Sequence, residues 1–107
     1  MAYDEGLAER LRAELGAAAV EKKMFGGLAF LLGGNMAVGV LGEELLVRLD
    51  PADYASCAEE PGAHPFVMGG RTSKGWLLIA PDAVAEESAL QAWVARGTSY
   101  ASSLPSK

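Results

Sequence analysis

Leucine recurs at every fourth position near the start of the chain, at Leu7, Leu11 and Leu15, while Glu5, Glu9, Arg12 and Glu14 fall mostly off that line. Residues four apart stack on one side of an α-helix, so the spacing predicts an amphipathic helix from Tyr3 to Leu15. Asp4 stands where an N-cap carboxylate would, and Gly16 where a left-handed residue would close the last turn. From Val20 the period changes to two: Leu28, Phe30 and Leu32, then Met36, Val38 and Val40, then Leu45, Val47 and Leu49. That alternation predicts three strands, and the short joints Gly33-Gly34-Asn35 and Gly42-Glu43 suit tight hairpins, hence antiparallel neighbours. Asp50-Pro51 then sets a capping carboxylate before a proline at a first helical position. A short helix follows from Ala52 to Glu60, closed by Pro61-Gly62. A short strand is expected at Phe66 to Met68 and a longer one at Trp76 to Ala80, with Trp76 and Leu78 facing opposite to Leu77 and Ile79. The residues between, Gly69 to Gly75, read as a flexible turn. The last periodic segment carries Leu90, Trp93, Val94, Gly97, Ala101 and Leu104 along one helical face, with Ser88 and Gln91 in capping-box spacing and Pro105 as its stop. The order α-β-β-β-α-β-β-α, with strands in runs, predicts a single-domain α+β fold: an antiparallel sheet packed on helices.

Composition narrows the function classes. The 107 residues, half of them hydrophobic, suffice for one self-supporting core and leave no room for a separate catalytic domain. The formal net charge of −5 opposes a general binder of phosphate backbones, so a nucleic-acid role would need a local basic patch. The lone cysteine, Cys57, excludes an intramolecular disulfide. No apolar run approaches the roughly 20 residues of a membrane helix, and the acidic beginning is unlike a secretory signal. A cytoplasmic protein is expected, without a membrane span.

Candidate chemistry is sparse. Gly70 to Gly75 imitates the first half of a phosphate-binding loop, but Trp76-Leu77 stands where the lysine and hydroxyl ligands belong. Gly26-Gly27 fits a bulge or close strand approach better than an anion cradle. Cys57 and His64 are the sole pair that could be drawn as nucleophile and base, and nothing orients one against the other; a buried core thiol is the simpler role for Cys57. One cysteine and one histidine cannot make a Cys/His zinc site, and a carboxylate-only site would need convergence of Asp50, Asp53 and Glu59. No metal, cofactor or catalytic residue is therefore expected. Lys22, Lys23, Arg71 and Lys74 would form a basic patch beside Trp76 if their strands were neighbours, although Lys22 and Lys23 point to opposite faces of any strand and Glu21 offsets part of their field.

Lys23-Met24-Phe25-Gly26-Gly27 before an apolar strand, then Asn35-Met36-Ala37, then Leu46-Val47-Arg48-Leu49-Asp50 resembles the TfoX/Sxy N-terminal domain family. Pro65-Phe66, Gly75-Trp76 and Leu90-Gln91-Ala92-Trp93-Val94 follow in the family's order, so the likeness spans nearly the whole chain. The resemblance implies a compact α+β domain with a curved antiparallel sheet, found alone or ahead of a second domain in bacterial regulators of DNA-uptake competence. No such second domain is expected after Leu104. It supplies no catalytic constellation to carry onto these positions.

Leu31, Leu46, Leu77 and Ile79 alternate with the positions assigned to the helix-covered side, yet they too are apolar. A second apolar face needs a cover, an identical subunit or another partner, and a homodimer is expected; the alternative is loops or the short middle helix wrapping round. Three functions remain open. The first is a non-enzymatic regulatory module that binds a protein, itself included, through Met24, Phe25, Gly26 and Gly27 or through Leu46, Leu77 and Ile79. The second is a nucleic-acid-associated factor using Lys22, Lys23, Arg71 and Lys74. The third is an enzyme or small-ligand binder centred on Cys57 or the glycine turns.

Overall fold

The computed structural model describes residues 3–24, 26–68 and 70–105, apart from the side chains of Met24, Met68, Ser73 and Lys74. Phe25 lies outside the described residues, so the structure does not place that candidate contact. The elements run α1 (Glu5–Leu15), β1 (Val20–Met24), β2 (Gly27–Leu32), β3 (Asn35–Leu41), β4 (Glu44–Arg48), α2 (Tyr54–Ala58), β5 (Ala63–Met68), β6 (Arg71–Ile79) and α3 (Glu87–Ser103), with 3-10 turns at Gly16–Ala18 and Pro81–Val84. The strands form one antiparallel sheet in the order β1-β2-β3-β4-β6-β5.

The expected α+β class and element order hold. Asp4 caps α1 by accepting from the Gly6 amide at 2.9 Å, and Gly16 closes it at φ 62°. The Val20 to Leu32 stretch is cut in two at Gly26, whose φ of 74° lets the chain reverse between β1 and β2. Charged Glu21-Lys22-Lys23 hid that edge strand from an apolar pattern. The turn expected at Gly69 to Gly75 is much shorter, because Arg71 and Thr72 already pair with Met68 and Val67. The capping box does not form: α3 starts at Glu87, and Gln91 reaches Glu14 at 3.4 Å instead.

Directly opposed residues in an antiparallel sheet share a face. The rows Phe30-Val38-Val47-Leu77 and Leu28-Val40-Leu45-Ile79 therefore point one way, and α1 and α3 cover them with Leu7, Leu11, Leu90, Trp93 and Val94 in one core. Helix α3 approaches closely at Gly97, where a Cβ would lie 2.5 Å from the Ala37 carbonyl oxygen. Beyond α3, the buried Asn35 amide donates to the Pro105 carbonyl at 2.9 Å, tying the segment after α3 to the start of β3. Leu77 and Ile79 thus belong to the helix-covered core and are fully buried, contrary to the expectation that they front the second face. Four consecutive apolar residues carry no alternation, so only their partners Val47 and Leu45 decide which way each points.

The opposite, helix-free face carries its own apolar cluster: Ala29, Met36, Leu46 and Phe66 are buried, with Leu31, Leu41, Trp76 and Leu78 packed around them and partly exposed. Its cover is internal in part. Pro65 opposes Leu77 while Val67 opposes Thr72, so two steps along β5 match five along β6. A mismatch of this kind bends a hairpin, and the bent β5–β6 arm puts Phe66 into the cluster. Among the described residues neither a loop nor α2 joins this cluster; α2 sits with Cys57 in the core on the other side.

Candidate functional site

The open face is built from alternate positions of all six strands. One row runs Lys22-Ala29-Gly39-Leu46-Leu78-His64 from edge to edge, charged or ionisable at its ends and apolar between. Small residues are required in its middle: a Cβ on Gly39 would stand 2.8 Å from Met36 Cε and 2.7 Å from the Leu28 carbonyl oxygen, so the Met36 chain lies over the backbone there. The neighbouring row pairs Arg48 with Trp76. The Arg48 guanidinium carbon sits 5.3 Å from the Trp76 ring centroid and 5.4 Å from that of Tyr100 on α3, where the cation is attracted to both ring faces. Among the described residues no carboxylate forms an ion pair with Arg48 or Lys22.

The strands hold two carboxylates, and both are engaged. Glu21 faces the helices, where Arg12 donates to its two oxygens at 2.7 and 2.9 Å; that contact holds the Glu21 carboxyl below its ordinary range. Glu44 opposes Leu41 on the open face and is hydrogen-bonded to His64 Nε2. Among the described residues the open face therefore presents aliphatic and aromatic surface with Lys22 and Arg48 as its uncompensated charges, on a chain whose total is −5.

A second concavity, a groove of about 580 Å³, lies between α2 and the second half of α3, lined among others by Leu49, Asp53, Cys57, Arg96, Ser99 and Tyr100. Arg96 pairs with Glu60 at 2.8 Å and lies 4.3 Å over the Trp93 ring, while its Nη1 is buried without a hydrogen-bond partner. Burial pushes the Cys57 thiol up, away from the reactive thiolate. His64 is on the other side of the sheet with Glu44, so the two residues that could have served as nucleophile and base do not converge. Among the described residues no group of three or more His, Cys, Asp or Glu could hold a metal ion, and no helix is long and apolar enough to cross a membrane.

The remaining candidates scatter. Gly26 forms the β1–β2 turn, and Gly27 lies so close to β3 that a Cβ would fall 2.1 Å from the Val40 carbonyl oxygen; their role is structural. The Met24 side chain and Phe25 lie outside the described residues. Leu46 is on the open face as expected. Lys22 and Lys23 do point to opposite faces, but β1 is one edge of the sheet and β6 adjoins the other edge strand, so Arg71 is not a strand neighbour of either. The Lys74 side chain is outside the described residues. Leu31 was expected on this face and is there; Arg48, Leu78 and Leu41 escaped sequence reasoning as site residues, and the signal that could have found them is the parity of Leu46, two positions from Arg48 on the same strand.

The family model described as TfoX N-terminal domain matches residues 10–101. No curated protein and no solved structure matches the chain.

Proposed function

Since the chain belongs to the TfoX N-terminal domain family, in which the resemblance implied regulation rather than chemistry, we propose that it is a non-enzymatic regulatory module of the cytoplasm that docks a protein partner on the helix-free face of its sheet. The observation that carries this reading is the second apolar cluster, whose members Leu31, Leu41, Trp76 and Leu78 remain partly exposed although the sheet's other face holds the main core. Contiguous apolar surface of this kind marks interaction sites on stable monomers. The absence of a converged nucleophile, base and orienting group among the described residues favours docking over catalysis.

Peptide display against the full chain, followed by amide chemical-shift mapping of the selected binders, tests the proposal. Binders should perturb β2, β3, β4 and β6 and be lost in Leu31→Ser. A concentration-dependent dimer that shifts the same amides would identify the partner as a second copy. Binders that map to α1 and α3, or to the groove beside α2, would overturn the assignment.

A further inference from the structure

We propose that the open face selects an extended polypeptide segment that is both apolar and acidic, with Arg48 and Lys22 receiving its carboxylates. The inference rests on the docking reading above and adds the chemistry of the occupant. Charge complementarity carries it: the chain is acidic overall, and while α1 sets Glu5, Glu9 and Glu14 against Arg10 and Arg12, with Arg10 also holding Glu87 of α3, the open face has its one strand carboxylate, Glu44, already bonded to His64. Among the described residues its cations are Lys22, in the row of Ala29 and Leu46, and Arg48, two residues beyond Leu46 on β4. The Arg48 guanidinium is in reach of both the Trp76 and the Tyr100 rings, with no carboxylate partner among the described residues. A guanidinium so placed beside apolar surface is suited to a carboxylate delivered by a partner, because part of the side-chain ordering cost has been met before binding.

The register also sets a spacing. Lys22 lies in the row of Leu46, three strands away from it, and Arg48 is two residues further along that strand. With strands about 4.8 Å apart and about 3.4 Å per residue, the two Cα positions are about 16 Å apart, the length of about five residues of extended chain. The matching segment therefore carries acids about five positions apart with large apolar residues between them. Nucleic acid fits less well: two cations on an acidic molecule offer few phosphate contacts, and most of the partly exposed surface is leucine rather than stacking rings.

The test uses the full chain, isotope-labelled, and three synthetic decapeptides of identical apolar sequence in which two positions five apart are both Glu, both Gln or both Lys, together with a decathymidine oligonucleotide. Binding is read by amide shifts and by titration at low and high salt. The Glu peptide should bind on β2, β3, β4 and β6 about tenfold more tightly than the Gln peptide, lose that margin in Arg48→Gln and in Lys22→Gln, and weaken with salt. Arg48→Lys should retain part of the margin. Lys23→Gln removes the same charge from the same strand on the opposite face and should leave binding unchanged, which separates a facing contact from a general field. Equal binding of the Glu and Gln peptides on the open face would overturn the acidic preference and leave the docking reading standing. No binding by any peptide, or shifts confined to the helices or the α2 groove, would overturn both. Tighter binding of the oligonucleotide than of the Glu peptide would overturn the proposal in favour of nucleic acid.

Discussion

Two residues at the close contacts of the fold can be tested directly. Gly97 has a helical neighbour's freedom to be replaced by alanine but no space for it: the added Cβ would meet the Ala37 carbonyl oxygen at 2.5 Å and Val38 Cγ1 at 2.9 Å. Gly97→Ala should therefore push α3 off β3 and destabilise the protein by about 1–3 kcal/mol, read as a lower denaturant midpoint with an unchanged slope, even though alanine is the better helix former. Cys57 reports the same core chemically. Its pKa is raised chiefly by burial, so the protonated thiol favours the folded state, and that contribution is complete below the unfolded thiol's pKa of about 8.5. Stability should fall as pH rises above that value toward the folded pKa, and alkylation of Cys57 near neutral pH should be slow until denaturant is added. For Glu21 the sign is reversed. The Arg12 hydrogen bonds lower its pKa, so their contribution is present above the ordinary carboxylate range and is lost as pH falls through the folded value, an acid-limb effect that Glu21→Gln should flatten.

At the scale of elements, what could be read in advance depended on whether side chains alone set the answer. Asp4, Gly16 and the α3 stripe were legible because helix periodicity and caps are local properties. Trp76 to Ile79 were legible as a strand but not as to face, because parity in an all-apolar run comes from the partner strand, and Leu77 and Ile79 consequently changed sides. β1 was obscured because an edge strand needs charge on it: Lys22 and Lys23 discourage pairing of its free edge, and Pro65 on β5 removes a donor at the other. The docking face was half legible, in Leu46 and Leu31, while Arg48 and Trp76 required the register. Phe66 tests the element that covers this face. Phe66→Ala removes the side chain that the bent arm contributes to the open-face cluster and should cost about 3 kcal/mol, seen as a lower thermal midpoint. Leu31→Ser, already partly exposed, should cost less while abolishing partner binding, and that contrast separates docking from folding.

For the molecule as a whole, the sheet divides two environments: a helix-covered core from Leu7 to Val94, and a smaller cluster closed by β5 and β6. A lid borne on a hairpin is secured differently from one borne on a helix. Strand β5 is an outermost ribbon whose ladder runs to β6 alone, and its pairing is interrupted between Pro65 and Val67. Native-state hydrogen exchange should therefore find the β5 amides opening at lower free energy than those of β3, whose ladders run to β2 and β4 on either side. An opening confined to that ribbon would withdraw Phe66 from the smaller cluster and leave the ladders that carry the helix-covered core in place.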